Sequence, residues 1–321
     1  MRNSGLTGIP EVDLLLTEIN TDLTQRPIAP NAAHSRLAWC RKEGKVGQRT
    51  IFQLPWFGNA WQKKSIYEQT KGTKPAMVSF DVESDMWGPD GELIPALTRA
   101  CDIYGIVENN IPTMLAQGAV EIDRQFGQLI ADGVTTKTLY DGKNFFATDH
   151  EANPNKPGMK TFSNYKVGRA LDDAGIVATI EDLEDMPGPD GNLLEMPGDL
   201  VIFCSTGAQR RTAKTLMNAG LIPSSVGTAT QSNVMQGDAD VMRLKSLKSK
   251  GSGKYWGIAK ICTDKHRPFV FDNPIPMFAY LTGLAINDQL NVTMDASIQG
   301  VKGAHGFGYL WPQLCVLCVE P

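Results

Sequence analysis

One stretch of the chain repeats its apolar residues with a spacing that no other segment sustains. Leu93, Leu97, Cys101, Tyr104, Ile111, Leu115, Ala119, Ile122, Phe126 and Leu129 follow one another at intervals of three, four or seven. That pattern is one face of a helix. At 1.5 Å per residue, a helix from Leu93 to Ile130 spans about 55 Å. Pro95 falls in the first turn, where proline is tolerated, and Asp132-Gly133 marks the end. Pro112, after Asn109 and Asn110, is expected to kink or divide the helix. A helix this long reads as a strut.

The flanking segments are less regular. Glu11 to Leu23 predicts a short amphipathic helix with Val12, Leu15, Leu16 and Ile19 on one face, broken by Pro27 and Pro30. The polar, mixed remainder to Thr50 shows no core pattern and reads as an arm lying on something else. From Ile51 to Asp85, Phe52, Trp56, Phe57, Trp61 and Tyr67 are interrupted by Pro55, Gly58, Gly72 and Pro75, and Ala76 to Val82 alternates like a strand. An extended hairpin fits, with a basic tip (Lys63, Lys64, Lys71, Lys74) and too little apolar surface to stand alone.

Beyond the strut, Ser163-Asn164 is expected to cap a helix towards Leu171, continued by Ile176 to Leu183. Leu200 to Cys204 is an apolar strand, followed by a helix capped by Ser205, running to about Asn218 and ended by Gly220. Val241 to Leu247 and Tyr255 to Cys262 read as strands around a turn at Lys250 to Gly253. Phe269 to Phe271, Leu290 to Ile298 and Leu314 to Val319 complete a mixed α+β pattern without internal repeats.

Composition adds limits. With 321 residues, 42% hydrophobic and 21% charged, the chain suits one large or two ordinary globular domains. No run approaches the roughly 20 apolar residues of a membrane-spanning helix. Met1 to Pro10 lacks the basic start and apolar core of a signal peptide, so a cytosolic product is expected. A net charge of −4 argues against a dedicated nucleic-acid binder. Charge is segregated, however. Asp172 to Asp199 holds nine acidic residues and no Lys or Arg, whereas Arg210 to Arg267 holds eleven basic residues and three acidic ones. These are either solvated faces of opposite sign or head-to-tail complementarity between neighbouring copies.

Candidate chemistry is sparse. Of six cysteines (Cys40, Cys101, Cys204, Cys262, Cys315, Cys318), only Cys315 and Cys318 form a close pair. Three apart on a strand, they face opposite sides of the sheet, which suits small core residues better than zinc or redox chemistry. Gly251-Ser252-Gly253-Lys254 lacks the earlier glycine and the following Ser or Thr of a phosphate-binding loop. Asp149-His150-Glu151 sets an imidazole between two carboxylates, but His34, His266 and His305 show no ligand spacing to it. Ser205 has no Gly-x-Ser-x-Gly setting. No catalytic residue, cofactor site or metal site emerges, and the chain is not expected to be an enzyme. An enzyme built on His150 and nearby carboxylates is the rival of that class.

Several motifs in order carry a resemblance. Gly118-Ala119-Val120-Glu121-Ile122 leads on to Leu139-Tyr140-Asp141-Gly142-Lys143-Asn144-Phe145-Phe146-Ala147-Thr148-Asp149-His150. Then come Phe162-Ser163-Asn164, Asp190-Gly191-Asn192-Leu193, Met196 to Val201, Tyr255-Trp256-Gly257 and Arg267-Pro268-Phe269. Over residues 76 to 319 the chain resembles the Mu-like phage major head subunit family, gpT. The resemblance implies a Hong Kong 97-like capsid fold, with an N-terminal arm (1–48) and an extended loop (49–85). A peripheral domain (86–159) with a spine helix at about 93–131 would follow. An axial domain (160–290) and C-terminal strands returning to the peripheral domain (291–321) would complete it.

It implies a major capsid protein that self-assembles through pentamers and hexamers into an icosahedral shell, made in the host cytoplasm and residing in the virion. Portal, scaffold and decoration proteins would be its partners; it would enclose DNA without sequence-specific binding and touch no membrane. A decoration or connector protein is the alternative within the virion. Tyr140, Asp141, Gly142, Phe145, Phe146, Asp149 and His150 would form a structural loop: a tight turn, aromatics under the spine, and hydrogen bonds from Asp149 and His150.

Overall fold

The computed structural model describes residues 10–25, 33–55, 77–135, 139, 141–153, 158, 160–188, 191–223, 230–232, 236–248, 253–282 and 296–321. The strut is present as one helix, α3 (Ala96–Asp132). It starts three residues later than its periodicity predicts, because Glu92–Pro95 is a strand (β4) paired with Ala296–Gln299 of a long strand. Leu93 is accordingly 57% exposed, and Ile94 is the buried residue there. The side chains of Leu97, Cys101 and Tyr104 lie outside the described ones. Pro112 does not divide α3. It is exposed, so water can serve the carbonyl its missing N–H leaves open, and Thr113 Oγ1 donates to the Asn109 carbonyl at 3.2 Å beside it.

α3 serves two cores in succession. Ile111, Met114 and Leu115 pack with Leu16, Ile94, Ala279, Leu281 and Val301. Farther along, Ile122, Phe126 and Ile130 pack with Phe145, Phe269, Tyr309 and Leu317. A six-stranded sheet covers the helix. Its order is β1 (Ala38–Arg41), β13 (Phe269–Thr282), β14 (Ala296–Tyr309), β3 (Met77–Trp87) and β2 (Gln48–Pro55), with β4 joined to β14. β13 and β14 extend well past the predicted Phe269 to Phe271 and Leu290 to Ile298. Their register shifts between Asp272 and Ile275 and between Ile275 and Phe278. Pro274 and Pro276, which cannot donate to a ladder, sit at those two steps.

The second sheet has five strands in the order β11 (Ala239–Arg243), β8 (Asp199–Cys204), β12 (Tyr255–Ile261), β15 (Cys315–Val319) and β7 (Tyr165–Val167). The two strands expected around the Lys250 turn flank β8 on opposite sides instead of pairing. One face of this sheet joins the core beneath α3. The other carries α4 (Asp173–Glu184) and α5 (Gly207–Asn218) over Ile202, Trp256, Ile258 and Val316. Side chains of β15 alternate: Cys315 and Leu317 enter the first core, Val316 and Cys318 the second. The paired cysteines thus face opposite sides, as their spacing predicts. Two-stranded pairs, β5 (His150–Glu151) with β6 (Thr161–Phe162) and β9 (Leu221–Pro223) with β10 (Thr230–Ser232), complete the described elements.

Four expectations need correction. Ser163-Asn164 caps no helix: Tyr165–Val167 is β7, held by the distant β15, and α4 starts at Asp173 with Asp172 accepting from Gly175 N at 2.7 Å. The N-cap of α5 is Thr206, in a reciprocal capping box with Gln209, although Ser205 Oγ also donates to Gln209 Oε1. The region before Thr50 does hold core. α2 (Ala33–Leu37) and β1 bury Ala33, Leu37 and Ala38, and β1 runs parallel to β13. α1 (Pro10–Gln25) lies on the same chain, where Asn20 accepts from Ala279 N at 2.8 Å and donates to Ala279 O at 3.2 Å. Finally, the last strands part company: β14 returns to the spine, whereas β15 sits between β12 and β7.

The hairpin is formed by β2 and β3 in antiparallel register from Gln48 opposite Ser84 to Pro55 opposite Met77. Its tip, with Trp56, Phe57, Trp61, Tyr67 and the lysines, lies outside the described residues. Its base does not lack apolar cover. Val78, Phe80 and Val82 are buried against Val270, Leu310, Trp311 and Leu314.

Candidate functional site

The loop after α3 begins with a tight turn. Gly142 adopts φ +77°, a left-handed conformation that costs other residues a Cβ clash, and its N–H donates to Leu139 O at 2.9 Å. Asp141 Oδ1 accepts from Lys143 N at 3.1 Å, closing an Asx-type turn. Phe145 and Phe146 follow and are almost wholly buried. Phe145 stacks on Tyr309 at 4.8 Å and meets Phe269 at 5.2 Å, directly under the spine. Tyr140 lies outside the described residues.

His150 is 0% exposed. Its Nδ1 lies 2.6 Å from Asp141 Oδ2, and its Nε2 3.1 Å from Phe145 O. Both partners accept, so each contact is a hydrogen bond when the ring nitrogen facing it carries the N–H. Burial pushes the Asp141 carboxyl up, but the bond and charge of His150 and the Lys143 N–H outweigh it and hold it below its ordinary 3.8. The ring stacks on Phe162 at 5.1 Å. Both nitrogens are spent on the chain itself, and no solute reaches them without opening the core.

The carboxylates beside His150 in sequence are not its partner. Asp149 is exposed and accepts from Lys143 Nζ at 2.8 Å. Asp141, nine residues away, is the buried one. The residue whose importance the pattern conceals is Asn164. It is fully buried, donates to Phe145 O at 2.8 Å and Pro312 O at 3.2 Å, and accepts from Ala147 N at 2.9 Å. Its own carbonyl takes Leu317 N at 2.9 Å. One amide thus ties loop to last strand. A buried polar residue between two predicted elements was the available signal.

The other candidates disperse. His34 pairs with Asp123 at 2.9 Å, His266 with Thr263 at 2.8 Å and His305 with Gln125 at 2.8 Å. Among the described residues no group of three His, Cys, Asp or Glu is placed to hold a metal ion. Burial raises the thiols of Cys204 to about 12 and Cys318 to about 11, so both stay protonated and unreactive. Gly251 and Ser252 lie outside the described residues, and Gly253 backs onto Val319 and Glu320. Among the described residues no helix is long and apolar enough to cross a membrane. One shallow groove of about 400 Å³ opens between the end of the hairpin and the spine, lined by Trp87, Met114, Gly118, Met277, Val301 and His305.

Comparison with solved structures decides what this architecture is. The capsid of cyanophage P-SCSP1u matches with a TM-score of 0.56 and 12% identity, covering 90% of this chain and 88% of that one. The procapsid of bacteriophage JBD30 matches with a TM-score of 0.50 and 15% identity, covering 98% and 76%. The fold is therefore the Hong Kong 97-like capsid fold. The family model for the Mu-like prophage major head subunit gpT matches residues 98–170, which are the spine, the Gly142 turn, the aromatics and the Asn164 hub. The chain is a phage major capsid protein. No curated protein matches by sequence. The matched segment thus contains the Gly142 turn, the buried aromatics and the Asn164 hub, and the buried His150 belongs to that frame.

Proposed function

We propose that copies of this capsid protein close into the icosahedral shell around the phage genome, in the virion, after assembly in the host cytoplasm. The observation that carries the reading is α3. One uninterrupted 37-residue helix packs its middle turns on the six-stranded sheet and its last turns into the core that both sheets share, and such a beam ties the two sheets together. A shell needs this rigidity in each subunit if many copies are to close at one curvature.

In the domain map that goes with it, residues 86–159 form the peripheral part with the spine, 160–290 the axial part and 49–85 the extended loop, except that β13 (Phe269–Thr282) joins the spine's six-stranded sheet. The loop's outer face leaves Ile51 and Met77 exposed at 66% and 41%. Trp87, Leu93 and Val120 are exposed at 42%, 57% and 70%. Large exposed apolar residues are candidates for surfaces that another molecule covers. Within the 1–48 arm, 33–41 fill the subunit's own core, and α1 lies on it through Leu16 and Asn20. The seven residues of the Tyr140 to His150 loop have a structural role, to lock the spine to β14 and β15; catalysis is not among their tasks. Portal, scaffold and decoration proteins are the expected partners.

The test is electron microscopy of the purified full-length chain over a range of concentration and salt. Closed hollow particles are expected. A subunit that remains a compact monomer throughout, or stops at a single open ring as a connector does, would overturn the reading.

A further inference from the structure

We propose that neighbouring copies in a ring are joined by the acidic surface of α4 on one against the basic surface of α5 on the next. This rests on the capsid reading above and adds which surfaces meet.

The two helices lie on the same face of the five-stranded sheet but over different halves. α5 packs on β8 and β11, α4 on β12 and β15. α5 buries Gln209, Ala213 and Met217 and turns Arg210, Arg211 and Lys214 to solvent. Arg243, at the end of the edge strand β11, reaches the start of α5, its Nη1 3.4 Å from where a Cβ on Gly207 would stand. Exposed Lys245 and Lys248 continue the same sign. Asp238 and Asp240 are the acids beside this group, and Asp240 is already taken by Arg36.

α4 buries Ile176, Thr179 and Leu183 and exposes Glu181 and Glu184, with Asp185 at its C-cap. Glu195 faces Glu184 and Asp185 across a cleft in which Lys260 is the one cation. Asp182 is different. It is partly buried and held by Lys166 at 2.9 Å and Arg169 at 2.5 Å, so it belongs to the fold and not to the patch.

Among the described residues, none of Glu181, Glu184, Asp185, Arg210, Arg211, Lys214 or Arg243 has an ion-pair partner within the chain. Each copy therefore presents two unneutralised fields of opposite sign at separate places. Among the described residues no ion pair joins the two patches within one molecule. Between copies they make a heterologous contact, which repeats around a ring and closes it. Isolated solvated charges would leave assembly indifferent to their sign; complementary ones steer and register it, and salt screens them over about 10 Å at 0.1 M.

Three full-length proteins test this beside the unmodified chain. One carries Glu181→Lys, Glu184→Lys and Asp185→Lys; one carries Arg210→Glu, Arg211→Glu and Lys214→Glu; the third carries all six. Particle yield is read by sedimentation and microscopy at low and high salt, and circular dichroism checks the unassembled subunits. Each triple is expected to lower the low-salt yield about tenfold, with a smaller deficit at high salt, because like charges then face each other at every contact. The sixfold protein restores complementarity with reversed polarity and should recover to within about threefold of the unmodified yield. Where a triple fails to fold, Glu184→Lys and Arg211→Glu singly, and together in one chain, carry the same comparison.

Unmodified protein that closes particles while folded triples close them equally well would overturn this contact and leave the capsid reading intact. So would a folded sixfold protein as deficient as the triples. An unmodified chain that never closes particles would remove both.

Discussion

The two sheets of this capsid protein are built to different standards. The five-stranded sheet is packed on both faces, and its ladders run without register breaks. The six-stranded sheet is broken twice at prolines, has the hairpin strand β2 at one edge and leaves Ile51, Met77, Met86 and Trp87 exposed. The first is finished by its own chain. The second is finished only in part, and the part left open is what a shell contact can use. Stability and assembly are thereby assigned to different strands, so substitutions in one should spare the other.

The largest break in that division comes from the N-terminal segment, which contains both kinds of residue. Removing residues 1–48 takes away Leu37, Ala38 and the whole of β1, a loss on the order of 5 kcal/mol that threatens the fold itself. Removing 1–25 takes only α1 and should leave a cooperative thermal transition with impaired assembly. Equal melting of the two deletions would contradict this partition.

Next is Phe145→Ala, which empties the centre of the aromatic cluster beneath α3. Denaturant unfolding should show a loss of about 3–5 kcal/mol; a loss below 1 would mean the loop is not part of the frame.

Asp141→Asn comes third, at about 2–3 kcal/mol near neutral pH, because it replaces the buried carboxylate that pairs with the His150 ring. The sign with pH is fixed by the lowered carboxyl. Asp141 contributes fully above its ordinary 3.8 and loses that contribution as pH falls through its lower folded value. Stability curves of the two proteins should therefore converge only in strong acid. Curves that run parallel there would refute the contact.

The smallest effect on the subunit is expected from Ile51→Ser. At 66% exposure it should shift unfolding by no more than about 0.5 kcal/mol while lowering particle yield. A large loss of subunit stability would show that the hairpin's outer face is already covered.

Legibility in the sequence followed the same division. The spine, β8, β12 and β15 announce themselves because uniform burial leaves a regular apolar signal, and the opposite facing of Cys315 and Cys318 follows from strand period alone. β13 was seen only at its start, since Pro274 and Pro276 interrupt the alternation that pairing tolerates as bulges, and β14 only at its start, since Gly300, Gly303, Gly306 and Gly308 leave gaps in its apolar pattern. α2 and β1 were invisible because just three buried apolar residues, Ala33, Leu37 and Ala38, define them. Tyr165–Val167 became a strand through β15, some 150 residues away. The local motif at His150 pointed to Asp149 and Glu151, whereas the turn at Gly142 brings Asp141 back instead. Distance in the chain hid the pair.

The place of β15 also sets a clock. Its five residues lie between β12 and β7 and send side chains into both cores, yet they are made after every other described strand of either sheet. Until they emerge, a nascent subunit has the spine but not the wedge that completes either core, so no half-made chain presents a finished five-stranded sheet to its neighbours.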